Sequence, residues 1–436
     1  MSNLRVLVVG ASVAGPTAAY WFAKAGASVT VIERFPEFRT SGQNIDIRTA
    51  GVTVMRKIPG MEAAVRAKTS TLEGISFVGK DGRPFATIGA SGDPDQQSLV
   101  SEYEIFRGDL AKILLDLTKD DKKVKYVYNE QIASMQHKDD EPITVEFANG
   151  TPTSQYDLVV AADGATGRTR SIGFNCGVRD YIHAVNCWAA YFSIQGDRLN
   201  GSKIGLGTSA VGGRFISMGP DPAGLTRVGM MAISPRDKKD ATLPFREAAK
   251  QGDDALKRYV AQHYQGVGWR TDEILEDMMT SDDFYASEVV QVKVPSLYKG
   301  RFVVVGDAGY APGPTGTGTS LALTGAYVLA GEIGSNKGDV MAGLKAYEER
   351  MNPIIKDMQV IPPFVPGVMA PQTEWGIWIR NWMFTFVAFG MQFGKYFNWT
   401  TALWATSFAG DKYGLPDYEC FKEGVKGETE LVTPKA

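Results

Sequence analysis

The sequence predicts an α/β fold: a Rossmann-like domain, an inserted β-sheet domain, and C-terminal helices. Three observations predict it. A strand–turn–helix–strand unit opens the chain between Leu4 and Glu33. From about Tyr181 to Val294 the β signal dominates, in short runs separated by Gly, Pro and Asp. An apolar, parallel-type strand then returns at Arg301 to Val305, with helical patterns after it. One architecture therefore starts, is interrupted and resumes.

Each element has a local reason. Leu4 to Val9 is a short apolar run ended by Gly10, the pattern of a strand buried on both faces. Pro16 to Ala25 has helical spacing, and Gly26 closes it as a C-cap. Ser28 to Ile32 is a second apolar strand, ending at Glu33. Gly74 to Val78 and Phe85 to Ile88 flank the turn Lys80-Asp81-Gly82-Arg83-Pro84 and predict a hairpin. Gly108 to Leu117 predicts a helix; Val124 to Tyr128, Ile143 to Phe147 and Leu158 to Ala161 predict strands. In the insert, strands are expected at Trp188 to Ile194, Lys203 to Gly207, Arg214 to Met218 and Arg227 to Ile233, with one helix from Pro244 to His263. Thr319 to Ile333 and Val340 to Asp357 are further helices. The expected units are 1–71, 98–178 and 298–365 for the discontinuous Rossmann-like domain, 72–97 and 179–297 for the β-rich domain, and 366–436 for the C-terminal segment.

Composition narrows the function. At 436 residues the chain exceeds what one compact core usually uses. The net charge of -3 gives no basic footprint for nucleic acid. Three cysteines, odd in number and without a CxxC pair, argue against a disulfide scaffold and for a reducing, cytoplasmic setting. His137, His183 and His263 lie far apart, so no metal site is expected. No basic n-region precedes the first strand, and no signal peptide is expected; the sequon Asn398-Trp399-Thr400 is then a chance match. Trp375 to Ala409 is aromatic-rich, but its charge-free run between Arg380 and Lys395 falls short of the roughly 20 residues that span a bilayer. A pair of helices packed on the inserted domain is expected there, with peripheral membrane contact left open.

Three motifs carry chemistry. Gly10-Ala11-Ser12-Val13-Ala14-Gly15 joins the first strand to the first helix. Gly10 permits the turn, Gly15 permits close helix–strand packing, and the helix N-terminus offers N–H groups to a pyrophosphate. Ser12 stands where the usual pattern has glycine. About 20 residues on, Glu33 supplies a carboxylate for the two hydroxyls of an adenosine ribose, which favours FAD or NAD over NADP. The second motif, Ala162-Asp163-Gly164-Ala165-Thr166-Gly167-Arg168, follows an apolar strand. The third, Val305-Gly306-Asp307-Ala308, leads through Pro314, Gly316, Gly318 and Thr319 into a helix whose N-terminus can face a flat anionic ring.

With these motifs, the chain resembles the class A, para-hydroxybenzoate hydroxylase-like FAD-dependent monooxygenases, a group that includes tetracycline-inactivating enzymes and aromatic or polyketide hydroxylases. The resemblance runs from Leu4 to about Asp357 and includes Glu104-Ile105-Phe106-Arg107-Gly108-Asp109-Leu110. It implies a glutathione reductase-like FAD-binding domain. It also implies FAD contacts for Gly10, Ser12, Val13, Ala14, Gly15, Glu33, Arg34, Arg48, Arg107, Asp163, Asp307, Pro314, Gly316, Gly318 and Thr319, with Gly42 to Arg48 passing near the isoalloxazine. Tyr310 departs from the histidine common at its place, and Gly167 and Thr169 from the usual Ser and Val.

With a single complete dinucleotide fingerprint, FAD is expected to stay bound while NADPH or NADH visits and leaves. The family chemistry is a flavin C4a-hydroperoxide that transfers one atom of O2 to an aromatic, polyketide or alkaloid-like small molecule. No protein nucleophile is expected. Tyr191 and Arg214 are weak candidates to face the substrate, and Phe192, Phe215, Met218, Met230 and Met231 candidates to line an apolar pocket. Two alternatives keep the scaffold: an FAD-dependent oxidase, dehydrogenase or reductase without oxygen insertion, and a non-catalytic nucleotide-binding protein.

Overall fold

A computed structural model describes residues 1, 4–39, 42–89, 96–97, 103–138, 141–361, 365–394, 406–407 and 412–422. Among the described residues a six-stranded sheet runs in the order Tyr298–Lys299, Phe302–Val304, Leu158–Ala161, Arg5–Val9, Ser28–Glu33 and Val124–Tyr128. All neighbours pair in parallel except the first two. The helix Ala14–Lys24 makes the crossover between Arg5–Val9 and Ser28–Glu33, in the register Val6 with Val29 and Val8 with Val31. Because these strands carry helices on their faces, their apolar runs do not alternate; Val6, Leu7, Val8 and Val159 to Ala161 are fully buried.

The helix Gly318–Ser335 packs on Ala14–Lys24 and on Val340–Met358. It is apolar all round and buried over nearly its whole length, as a helix in the middle of a core must be. Pro353 lies inside Val340–Met358 without ending it.

A seven-stranded sheet forms the second layer, ordered Tyr285–Val292, Ile182–Ile194, Thr226–Ile233, Arg214–Pro220, Ile204–Ala210, Gly74–Val78 and Pro84–Gly89. The hairpin Gly74–Val78 and Pro84–Gly89 thus joins the inserted sheet through a parallel pairing with Ile204–Ala210. One face of this sheet, with Trp188, Ala190, Phe192, Ile216, Met218 and Met230, packs on helices to make a second core. The helix expected from Pro244 to His263 is instead two, Leu243–Lys250 and Asp253–Tyr264. Gly252, at φ +97°, breaks the chain direction between them, a conformation glycine adopts at little cost. A third helix, Thr271–Thr280, completes the layer.

A two-stranded antiparallel ribbon, Asn44–Asp46 with Glu104–Phe106, lies beside the first sheet. In the expected C-terminal pair, one long helix, Glu374–Gly394, is described after the short Val365–Met369. It packs on Pro84–Gly89 and Ile204–Ala210, and its buried Arg380 donates to Ser209 Oγ at 2.9 Å. Trp375, Trp378, Trp382 and Phe386 point outward. No helix among the described residues is long and apolar enough to cross a membrane. The sequon at 398–400 and the end of the aromatic stretch lie outside the described residues.

Candidate functional site

The three motifs meet at the carboxyl ends of neighbouring parallel strands, where open α/β sheets hold their ligands. Gly10, at φ +106°, lies against the second motif: a Cβ there would be 2.6 Å from Ala162 O. A Cβ on Gly15 would be 1.8 Å from Gly10 O, so helix and turn touch backbone to backbone. Val305 N donates to Ala161 O at 2.9 Å and brings the third motif alongside. Arg170, fully buried, donates to Ala308 O, Ala165 O and Val178 O at 2.8, 3.0 and 2.8 Å, tying the second and third motifs together.

Glu33 reaches back to the turn and accepts from Ala11 N at 2.9 Å through Oε2. Arg34 is exposed, stacked over the Phe35 ring at 4.8 Å. The hydroxyl of Ser12 accepts from Arg107 Nη2 at 2.9 Å. The residue that departs from the glycine pattern therefore fixes the arginine of the Glu104-to-Leu110 motif over the turn. Arg107 N in turn donates to Gln43 O at 2.9 Å. Arg48 N donates to Ser320 Oγ at 2.8 Å, and its side chain contacts Asp46. Thus the segment from Gln43 to Arg48, the start of Gly318–Ser335 and the pyrophosphate turn surround one cleft.

The groups around the cleft fit a dinucleotide. Asp307 is surrounded by protein yet keeps its carboxylate open to the cleft; this crowding raises its pKa, and Arg107 opposes the rise. Asp163 accepts from Thr169 N at 3.0 Å through Oδ2, while its buried Oδ1 has no hydrogen-bond partner among the described residues. A buried carboxylate oxygen left unsatisfied in this way calls for a donor from a ligand or water. At the loop Pro314 to Thr319, Gly316 has φ +74°, and Asp46 Oδ2 lies 3.7 Å from the place a Cβ would take there.

Two cavities adjoin this region. One, of about 230 Å³, lies between the ribbon and the inserted sheet, lined by Gln43, Asn44, Glu104 and Phe106 on one side and Tyr191 and Arg227 on the other. Gly229 and Ser217 stand beside Tyr191 across the strands, and their small size leaves the room. The other, of about 800 Å³, lies behind Tyr310 and carries Arg236, Lys293 and Lys356; of the expected site residues only Pro314 reaches it.

Tyr191 is thus in the smaller cavity, where burial pushes its phenol above the ordinary range. Arg214 is not in either. Its guanidinium donates to the carbonyls of Val211, His263 and Gln265 and anchors the helix layer. Phe192 and Met218 line the cavity wall from the core side, whereas Met230 is wholly core. Tyr310, in place of histidine, is buried and its hydroxyl lies 3.0 Å from that of Tyr347; burial pushes its pKa up to about 12. Sequence reasoning gave no individual role to Asn44 and Asp46, which lie within the Gly42-to-Arg48 segment, to Glu104, or to Arg227. Glu104 stands three residues before Arg107 in the quoted motif, and that acid was the available signal.

A family model for an FAD binding domain matches residues 3–359. An FAD-dependent monooxygenase of Sarocladium schorii is 32% identical over 412 residues, 89% of this chain and 93% of the relative. The chain belongs to the FAD-dependent monooxygenases. A monooxygenase of Cercospora beticola is 31% identical over 429 residues, covering 96% of this chain and 98% of its own length. The crystal structure of tetracycline destructase Tet(51) superposes with a TM-score of 0.74 at 26% identity, over 95% of this chain and 100% of that one. This monooxygenase therefore uses FAD as its cofactor and O2 as oxidant.

Proposed function

We propose that the monooxygenase holds FAD along the cleft just described and oxygenates an aromatic, polyketide or alkaloid-like small molecule in the 230 Å³ cavity beside it. The observation that carries this reading is the place of that cavity: one wall is the ribbon that ends at Arg107 and Arg48, the other the inserted sheet. In this reading Gly10, Ser12, Val13, Ala14 and Gly15 receive the pyrophosphate, Glu33 and Arg34 the adenosine side, and Asp163, Asp307 and Arg107 the ribityl and phosphate region. Arg48 and the loop carrying Pro314, Gly316, Gly318 and Thr319 lie along the ring system. When bound, FAD supplies the redox chemistry and the activation of oxygen.

The protein's own part is positioning and shielding. The N-terminus of Gly318–Ser335 places free N–H groups and a partial positive charge at the loop. Tyr191, Phe106 and the apolar wall hold a ring and keep water out. The likeness to a tetracycline destructase supports a hydroxylated, ring-containing substrate. The odd cysteine count supports a reducing cytoplasmic setting.

The test is a screen of phenolic and polyketide compounds, tetracycline included, for substrate-stimulated NAD(P)H oxidation under ¹⁸O₂. One labelled atom in the product is expected. Stoichiometric hydrogen peroxide with no label in any compound that is consumed would place the enzyme among the oxidases.

A further inference from the structure

Two acids are set against each other in the ribbon beside the smaller cavity, and one of them, Glu104, lines it. In the ribbon, Asp46 and Glu104 occupy directly paired positions. Like charges facing each other across strands are destabilising, so packing alone would not favour the pair. The neighbouring cation, Arg48, directs both its contacts to Asp46 Oδ2, at 3.1 and 2.8 Å. Glu104 accepts instead from Asn44 Nδ2, at 2.7 Å, and lines the cavity.

Every charged or titratable group facing Glu104 bears on its basicity. Asp46 and Arg48 face it from the ribbon and its continuation. Tyr191 and Arg227 line the same cavity from the inserted sheet. Arg227 is already engaged: it contacts Asp221, Asp283 and Ser193 and stacks over Phe106 at 4.1 Å. Tyr191 is held neutral by burial. Burial first, and Asp46 second, raise Glu104 to about 7, with Asn44 and Arg48 opposing. A carboxylate of ordinary basicity accepts a phenolic or enolic proton poorly; one poised near neutral pH is much better matched.

We propose that Glu104 accepts the proton of a hydroxyl on the ring to be oxygenated, and that Asp46 is the positioning residue that keeps Glu104 basic. The substrate O–H bond breaks, the proton moves to the Glu104 carboxylate, and the electron pair stays on the substrate oxygen. From there it enriches the conjugated carbon that receives oxygen. The two electrons and the further proton that O2 needs come from NAD(P)H by way of the bound FAD; that carbon takes one oxygen atom, the other departs as an anion, and the proton held on Glu104 goes to that anion, which ends as water, and restores the carboxylate. The inference rests on the reading of the cavity as the substrate site, and it names the substrate class: a phenol or an enol.

The test uses the FAD-loaded enzyme with a panel of mono- and bicyclic phenols and their O-methyl ethers. Coupled turnover of the phenols is expected to rise with pH through about 7. Glu104→Gln should lower kcat about 100-fold or more and abolish that rise, with flavin content and KM for NAD(P)H unchanged. Asp46→Asn removes the like charge and should move the rise about one pH unit toward acid, an effect that a purely structural role would not produce. A Glu104→Gln enzyme that keeps the wild-type pH profile, or ethers oxygenated as fast as phenols, overturns the inference alone. A wild type that neither binds nor oxygenates any phenol, ether or polyketide overturns the cavity reading as well. Should Glu104→Gln fail to fold, the position of the Asp46→Asn pH profile decides.

Discussion

Asp307 shows how a side chain can be enclosed and yet open. Protein surrounds it, its pKa is raised, and its carboxylate still faces the cleft. Replacing it with alanine removes an acceptor that no side chain among the described residues uses. Asp307→Ala should therefore reduce flavin retained after gel filtration by tenfold or more, while far-UV circular dichroism stays that of the wild type. Unchanged flavin content would remove Asp307 from the cofactor site. Glu104 makes a second prediction, in stability. Its folded pKa, about 7, lies above the ordinary 4.5. The folded state thus binds more protons than the unfolded one between those values, and this group lowers stability as pH rises from about 4.5 to about 7. Glu104→Gln should then be more stable than wild type at pH 8 by on the order of 1 kcal/mol, allowing for solvent in the cavity, and equal to it at pH 4.5. Denaturant melts at the two pH values check the sign. The acidic residue was visible in the sequence; its partner was not, because Asn44 and Glu104 meet across 60 residues of chain.

At the scale of elements, the strand and helix patterns of the Rossmann-like half were legible because buried parallel strands read as unbroken apolar runs and the first helix closes at Gly26. The Leu243–Thr280 layer was less so. Its helices are amphipathic and short, and the break at Gly252 depends on one residue's φ rather than on a change of periodicity. Arg214 shows the same limit: strand position alone does not say whether a guanidinium faces a cavity or three carbonyls. The turn–helix junction gives the sharpest prediction here. Gly15→Val would drive a side chain into Gly10 O, with the Cβ at 1.8 Å, and the backbone must move. The expected result is loss of FAD binding together with at least about 3 kcal/mol of stability, read by flavin fluorescence and thermal melting. Retention of both would show that the helix can retreat from the turn.

At the scale of the molecule, the two larger cores among the described residues are distinct. One holds the six-stranded sheet with Gly318–Ser335, the other the inserted sheet with its three helices. The cofactor residues belong to the first, so FAD should stabilise that core in preference. At a free concentration 100 times Kd, FAD is expected to add about 2.7 kcal/mol to its unfolding transition. Trp21 reports on the first core and Trp188 on the second. Scanning calorimetry with fluorescence, with and without FAD, checks this; an equal shift at both would mean that the cores unfold as one unit.

The sequence by itself determined the α/β class, the interrupted order of the nucleotide-binding half and the glycine turns, since these follow from residue periodicity and from the steric freedom of a few positions. The tertiary structure alone decided which polar side chains meet. It joined Ser12 to Arg107, set Asp46 against Glu104, and turned Arg214 into an anchor. Strand pairing between distant segments makes those contacts. Burial then sets the basicity of the groups brought together, and neither is written in local sequence.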